Sequence, residues 1–241
     1  MISEKDILVL IPAYNEEGRV GDVIRGVRQY LPGTKILVVN DGSGDGTARA
    51  SKEAGACVVS HPFNLGVGTA LQTGYKYAVQ HGYQYVIQLD GDGQHPPNFL
   101  PVFVTKLKES SADLIIGSRF LLGRNSDVTF GRSAGNALFG KLVSLLIHEK
   151  LTDPTSGYRA LKSTALQFCV QDIYAFDYPD ADFLLTLHRS GYRIVEIPIE
   201  VLPRTGGNSQ HGGLKPIYYT IKMFLSIFII LLRKKSVKTT S

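Results

Sequence analysis

Asp90 and Asp92 flank a single glycine, so two carboxylates leave one tight turn close together. Like charges at that spacing are costly unless a cation sits between them or one is protonated. Hard carboxylate oxygens suit Mg2+ or Mn2+, ions that take one or two carboxylates and leave positions for substrate phosphates. A calcium loop of the EF-hand kind is the competing pattern, but its twelfth position would be Pro101 rather than a glutamate. A solvated acidic turn is the plain alternative. Two further polar clusters lie upstream: Pro12-Ala13-Tyr14-Asn15-Glu16-Glu17, and the run from Asn40 through Asp41, Ser43 and Asp45 to Thr47. The second is glycine-rich yet does not fit G-x-G-x-x-G with an acidic residue about 20 positions on. Asp45 or Thr47 could cap a following helix. Asp41 is free to accept from a base or ribose hydroxyl, and the stretch could equally be only a turn and a cap.

Each cluster directly follows a short apolar run. Ile7–Ile11, Lys35–Val39 and Tyr85–Leu89 read as strands, as do Cys57–Ser60 and Asp113–Gly117. Between them fall helical patterns at Glu17–Tyr30, Thr47–Ala54, Gly68–His81 and Phe99–Glu109. Alternation of this kind means βαβ units and a mostly parallel sheet, and strands apolar throughout mean a sheet covered on both faces. Ligands of such sheets bind outside the carboxyl ends of the strands, which is where the three clusters fall.

The second half differs in kind. Phe130–His148, Ala160–Val170 and Asp180–Arg189 read as helices, and Arg193–Val201 as a strand placed at an edge by Pro198. Arg204–Gly213 lacks apolar side chains and reads as a functional loop. The apolar segment Ile217–Leu232 would make a helix of roughly 24 Å, short of the ~30 Å hydrocarbon core. Packing on the body, lying in a membrane interface and spanning all remain open for it. The basic cluster after it favours the membrane surface.

The chain has 241 residues, 44% hydrophobic and 20% charged, which excludes a disordered chain and a polytopic membrane protein. The net charge of +5 is concentrated in the tail, where Arg233, Lys234, Lys235 and Lys238 meet no acid, and the body is nearly neutral. That excludes a nucleic-acid-binding face across the domain. Met1–Asp6 is polar and no leader-type apolar region follows, so a secretory signal is not expected. Cys57 and Cys169 are expected as buried thiols in a reducing compartment.

Taken together, the three clusters resemble the inverting family 2 glycosyltransferases of GT-A fold. Phe63-Asn64-Leu65-Gly66, Asp90 through Pro96, Gly117-Ser118-Arg119, Asp153-Pro154-Thr155-Ser156-Gly157-Tyr158-Arg159 and Arg204-x-x-Gly207-x-Ser209 extend the resemblance to the branch containing dolichyl-phosphate mannose synthase and related polyprenyl-phosphate enzymes. The resemblance covers Ile7 to Ser209. It implies that Pro12, Tyr14, Glu16 and Asp41 hold the nucleoside, with Asp90 alongside, and that Asp90, Asp92 and Gln94 hold the metal and through it the diphosphate. Arg119, Arg132 and Ser133 would take the acceptor phosphate, Asp153 would lie near the reacting centre, and Arg204 would close over the phosphates. The family often has Lys after Gly-x-Ser, where this chain has Gln210.

Displacing a nucleoside diphosphate requires its charge to be neutralised, which a divalent metal plus Arg204 can do. A phosphate-monoester acceptor is already largely ionised near neutral pH and needs no general base, only cations such as Arg119 and Arg132 to hold it. A sugar-hydroxyl acceptor would need a base, for which Asp153, Asp180 or Asp182 could serve. Asp180 and Asp182 also suit the start of a helix, whose dipole acids complement.

The expectation is therefore an α/β enzyme with a mixed, mostly parallel sheet flanked by helices. Residues 1–213 form the catalytic domain and 214–241 an apolar helix and basic tail associated with membrane or partner. The enzyme would move one sugar from a nucleotide-diphosphate sugar to a polyprenyl phosphate at the cytoplasmic face of the membrane. A small membrane protein or a second copy of the chain is the expected partner. Transfer to a sugar hydroxyl, or a silent nucleotide-sugar-binding scaffold, are the alternatives.

Overall fold

The computed structural model describes residues 2–121, 144–147, 151–171 and 181–202, together with residues 225, 227, 230 and 232. Its centre is a seven-stranded sheet of order β3-β2-β1-β4-β6-β5-β7. The strands are β1 (Ile7–Ala13), β2 (Lys35–Asn40), β3 (Cys57–Ser60), β4 (Tyr85–Gln88), β5 (Leu114–Ser118), β6 (Arg159–Lys162) and β7 (Ile194–Pro198). β1 pairs in parallel with both β2 and β4, β2 with β3, and β5 with β7. β6 runs antiparallel between β4 and β5. The expected mixed, mostly parallel sheet is present.

Both faces are covered, as the unbroken apolar runs require. Leu8 and Leu10 of β1 point into one core with Leu71, Tyr75 and Ala78 of α3 (Val67–Gln80). Ile7, Val9 and Ile11 point into the other, against α1 (Val20–Tyr30) and α4 (Leu100–Glu109). In α1 the buried residues Val20, Val23, Ile24 and Val27 recur at helical spacing. α2 (Thr47–Glu53) follows β2.

One expectation fails. The stretch Ala160–Val170, read as a single helix, is divided into β6 and a helix over Ser163–Cys169. Nothing in Arg159-Ala160-Leu161-Lys162 has strong strand propensity. Its conformation is imposed by the gap between β4 and β5, where ladder bonds are available on both sides. The helix Ala181–Arg189 and the edge position of Pro198 agree with expectation. Cys169 is buried, but Cys57 is only partly so, because β3 is the other edge strand of the sheet.

Of the expected helix Phe130–His148, residues 144–147 are described and helical. The loop Arg204–Gly213 and the boundary at 213–214 lie outside the described residues. Of 217–232, the described positions are helical, with Ile227 buried and Leu225 and Leu232 exposed. Among the described residues no helix is long and apolar enough to cross a membrane.

Candidate active site

The loop after β1 is fastened to the loop after β2. Asn15 adopts a left-handed conformation (φ 55°), which asparagine tolerates better than most residues. Its backbone N–H donates to Ser43 Oγ at 3.0 Å and its Oδ1 accepts from the Gly44 N–H at 3.0 Å. The Glu16 N–H donates to Thr47 Oγ1 at 2.8 Å, and Thr47 is wholly buried. The Thr47 hydroxyl in turn donates to Asp45 Oδ1 at 2.5 Å. Burial works against the Asp45 carboxylate, but hydrogen bonds from the Thr47 hydroxyl and the N–H groups of Thr47 and Glu17 hold its pKa below the ordinary value. Asp45, one residue before the Gly46 N-cap, thus accepts the first N–H of α2 and clasps the first loop at once.

Asp41 is differently placed from the sequence expectation. It is buried, and both oxygens of its carboxylate are engaged within the chain. Oδ1 accepts from the Leu65 N–H at 2.9 Å and lies 2.7 Å from His61 Nδ1, while Oδ2 accepts from the Gly66 N–H at 2.9 Å. His61 Nε2 lies 2.9 Å from Thr73 Oγ1 of α3. Asp41 therefore organises the turn between β3 and α3, and its own N–H binds the Ala13 carbonyl at 2.9 Å. The signal for this was the histidine directly after β3, which local spacing does not connect to Asp41.

The loop after β4 joins the same place. A Cβ added at Gly91 would lie 3.3 Å from both the Pro12 carbonyl oxygen and Ala13 Cβ, so the turn between the two aspartates sits directly on the end of β1. The Asp90 side chain is 43% exposed, with buried His95 beside it at 3.4 Å (Nδ1 to Oδ2). Asp92 Oδ1 accepts from the Gln94 N–H at 3.0 Å. Gln94 is tied to the segment after β7: its carbonyl accepts from the Leu202 N–H at 2.9 Å, and its Nε2 reaches the Leu202 carbonyl at 3.4 Å.

The Asp153–Gly157 segment completes the arrangement. Asp153 is wholly buried and grips Arg119, just past β5, through Nε (2.7 Å), Nη2 (2.7 Å) and the backbone N–H (3.1 Å). Arg159, also buried, donates to the carbonyls of Ser156 at 2.7 Å and Pro154 at 3.0 Å. A Cβ at Gly157 would lie 2.9 Å from Asp90 Oδ1, so any larger residue here would push the Asp90 carboxylate aside. On the far side Glu196 of β7 accepts the N–H groups of Thr152 and Asp153.

The structure thus brings Pro12, Tyr14, Glu16, Asp90, Asp92, Gln94, Arg119 and Asp153 to one end of the sheet, at or just beyond the carboxyl ends of β1, β4 and β5 and before the start of β6. Tyr14 is exposed at the end of β1, whereas Glu16 is buried and paired with Arg19 at 2.5 Å. Arg132, Ser133, Asp180 and Arg204 lie outside the described residues. Asp182 accepts from the Phe183 N–H at 2.8 Å in the first turn of its helix. His61 and Glu196 were not singled out in the sequence, since each acts on a residue distant in the chain, and Thr47, expected there only as a helix cap, also holds the distant Glu16 N–H.

Among the described residues no three His, Cys, Asp or Glu side chains gather into a metal cage. The oxygen donors of Asp90 and Asp92, with Asp90 well exposed, fit a divalent cation that binds one or two carboxylates and completes its shell with water and phosphate oxygens.

Residues 8–169 match the family described as Glycosyl transferase family 2. The chain is 30% identical to an undecaprenyl-phosphate mannosyltransferase of Micrococcus luteus, over 86% of this chain and 88% of that protein. It is 31% identical to a polyprenol monophosphomannose synthase of Mycolicibacterium smegmatis, over 86% of this chain and 81% of the other. The fold is shared with glucosyl-3-phosphoglycerate synthase from Mycobacterium tuberculosis, solved with Mn2+, UDP and phosphoglyceric acid. That comparison gives a TM-score of 0.69 at 22% identity, covering 97% of this chain and 80% of the other.

Proposed function

Because this chain belongs to glycosyl transferase family 2 and is a glycosyltransferase, we propose that it transfers one sugar, with inversion, from a nucleotide-diphosphate sugar to a polyprenyl phosphate. The observation that carries this reading is the seating of the Asp90–Asp92 turn between the end of β1 and Gly157. It sets the Asp90 carboxylate against the segment 153–157, whose Asp153 holds Arg119, and this supports a diphosphate site at the Asp90–Asp92 turn. The names of the two relatives supply the acceptor class.

The acceptor phosphate, ionised near neutral pH, attacks the anomeric carbon of the sugar. The bond from that carbon to the diphosphate oxygen breaks as the new one forms, and the electron pair leaves with the nucleoside diphosphate. Pro12, Tyr14 and Glu16 line the nucleoside side, with Asp41 acting on it indirectly by ordering residues 65–66. Asp90, Asp92 and Gln94 would hold Mg2+ or Mn2+, which supplies charge neutralisation at the departing diphosphate. Asp153 fixes Arg119 at the crevice. Since that guanidinium is charge-paired, the further cations for the acceptor and leaving phosphates are Arg132, beside Ser133, and Arg204.

A sugar-hydroxyl acceptor would call for a general base. Asp153 is a poor one, being buried and engaged with Arg119 through both oxygens. The reading places the enzyme peripherally at the cytoplasmic face of the membrane, held there through 214–241 by lipid, a small membrane protein or a second copy of itself.

The test is transfer of labelled sugar from a panel of uridine- and guanosine-diphosphate sugars to undecaprenyl or dolichyl phosphate with Mn2+ or Mg2+. One organic-extractable product, lost on chelation, is expected. Transfer only to water-soluble sugar hydroxyls would refute the acceptor assignment.

A further inference from the structure

We propose that Glu196, on the edge strand β7, is a positioning residue for sugar transfer, holding Thr152 and Asp153 so that Arg119 is presented to the crevice in one orientation. The inference rests on the transferase reading above.

Both carboxylate oxygens of Glu196 are engaged with this one short segment. The Thr152 N–H reaches Oε1 and Oε2 at 2.9 Å each, the Thr152 hydroxyl donates to Oε2 at 2.8 Å, and the Asp153 N–H donates to Oε1 at 2.7 Å. The hydroxyl's single proton is therefore committed to Glu196. Ser118 Oγ, 2.5 Å from Thr152 Oγ1, must then be the donor in that contact. Ser118 Oγ itself accepts from the Phe120 N–H at 3.2 Å. A one-way chain results, from the Phe120 N–H through Ser118 and Thr152 to Glu196, and an ionised Glu196 terminates it.

Arg119 stands between the two arms of this device. On one side the chain through Ser118 fixes Phe120. On the other, Asp153, whose N–H is held by Glu196, receives the Arg119 N–H and side chain. Strand pairing does not call for a carboxylate here. Glu196 registers with Ile116 in a parallel ladder made by backbone groups, and its neighbours Ile194 and Ile197 are buried apolar residues. An apolar side chain would serve the sheet and leave the Thr152 and Asp153 N–H groups unheld.

Glu196→Gln keeps the shape but puts an N–H2 group where Thr152 needs an acceptor. In the full chain, kcat is expected to fall between about 10- and 100-fold, the loss typical of a small misplacement away from the reacting atoms. KM for the nucleotide sugar should stay within about 2-fold, since that half of the site is untouched. In an Arg119→Ala background the same substitution should lower kcat by less than about 2-fold, because residues acting as a unit are not additive. An unchanged kcat in a folded Glu196→Gln protein would overturn the proposal, and so would factors that simply multiply in the double variant. Should Glu196→Gln fail to fold, Thr152→Val removes the relaying hydroxyl alone and carries the same expected split between kcat and KM. Wild-type protein in the same assay separates the two ideas: absent transfer to any polyprenyl phosphate sinks the acceptor reading and this inference with it, whereas normal transfer by both wild type and variant sinks the inference alone.

Discussion

The Arg119 guanidinium meets the Asp153 carboxylate edge to edge, Nε to Oδ2 and Nη2 to Oδ1 both at 2.7 Å, with Asp153 wholly buried. A lysine carries the same charge but lacks this planar fork. Breaking a buried pair from one side costs roughly 3–5 kcal/mol, because the remaining charge loses its partner. Asp153→Asn is expected to lose stability on that scale in urea unfolding. Arg119→Lys should lose less stability but at least about tenfold in kcat, since a point charge cannot reproduce the orientation.

Gly157→Ala tests the approach of the 153–157 segment to the first aspartate. The added methyl would stand 2.9 Å from Asp90 Oδ1, so the carboxylate must move. A metal titration of transfer activity should show half-activation at a concentration raised about tenfold or more, as carboxylates supply the main protein ligands for such ions. Circular dichroism should be unchanged. Equal titration curves for variant and wild type would remove Asp90 from the metal site.

Chelation with EDTA should abolish transfer, and Mn2+ or Mg2+ should restore it. Asp92→Ala should remain below about 1% of wild-type turnover at any concentration of either ion, given that electrostatic stabilisation of a leaving group is usually worth 10²-fold or more. Persistent turnover in chelator would show that cationic side chains alone neutralise the diphosphate.

Thr47→Val separates the clasp between the first two loops from the chemistry. It is nearly isosteric, yet it deprives the buried Glu16 N–H of its acceptor and Asp45 of a donor. A loss of about 1–3 kcal/mol in unfolding free energy is expected from the unsatisfied N–H. Nucleotide affinity, read by titration calorimetry, should weaken with it, because Tyr14 and Glu16 lie in the loop so released.

The pH dependence of Glu196 should differ in sign between stability and activity. Burial raises its pKa above the ordinary 4.5, opposed by hydrogen bonds from Asp153 and Thr152, with the Asp153 charge adding to the rise. An acid with a raised folded pKa contributes stability that is fully present below its unfolded value and lost as pH rises through the folded one. Glu196→Gln should therefore gain thermal stability relative to wild type as pH rises from 4.5 upward through that window. In the same window wild-type kcat should increase with pH as the carboxylate forms, while the variant's kcat stays low and flat. Parallel kcat profiles for the two proteins would count against the carboxylate's role.

Much of this protein is written locally. Unbroken apolar runs such as Ile7–Ile11 fixed a sheet covered on both faces, and the clusters at 12–17, 40–47 and 90–95 marked the carboxyl ends where ligands gather. Such features follow from side-chain period and turn chemistry within a few residues, and they read directly off the chain. The sequence also showed Asp90 and Asp92 one glycine apart, because that spacing is confined to one turn. Tertiary structure alone decided the rest. Arg159–Lys162 became a strand because an unfilled place between β4 and β5 offered hydrogen bonds that its own propensity did not demand. Asp41, just past β2, meets His61, Leu65 and Gly66 and so anchors residues 61–66. Arg119 met Asp153 across 34 positions, and Glu196 met Asp153 across 43. Partners so far apart in sequence are chosen by which loops the sheet order places side by side, and strand order is set by long-range packing rather than by any spacing along the chain.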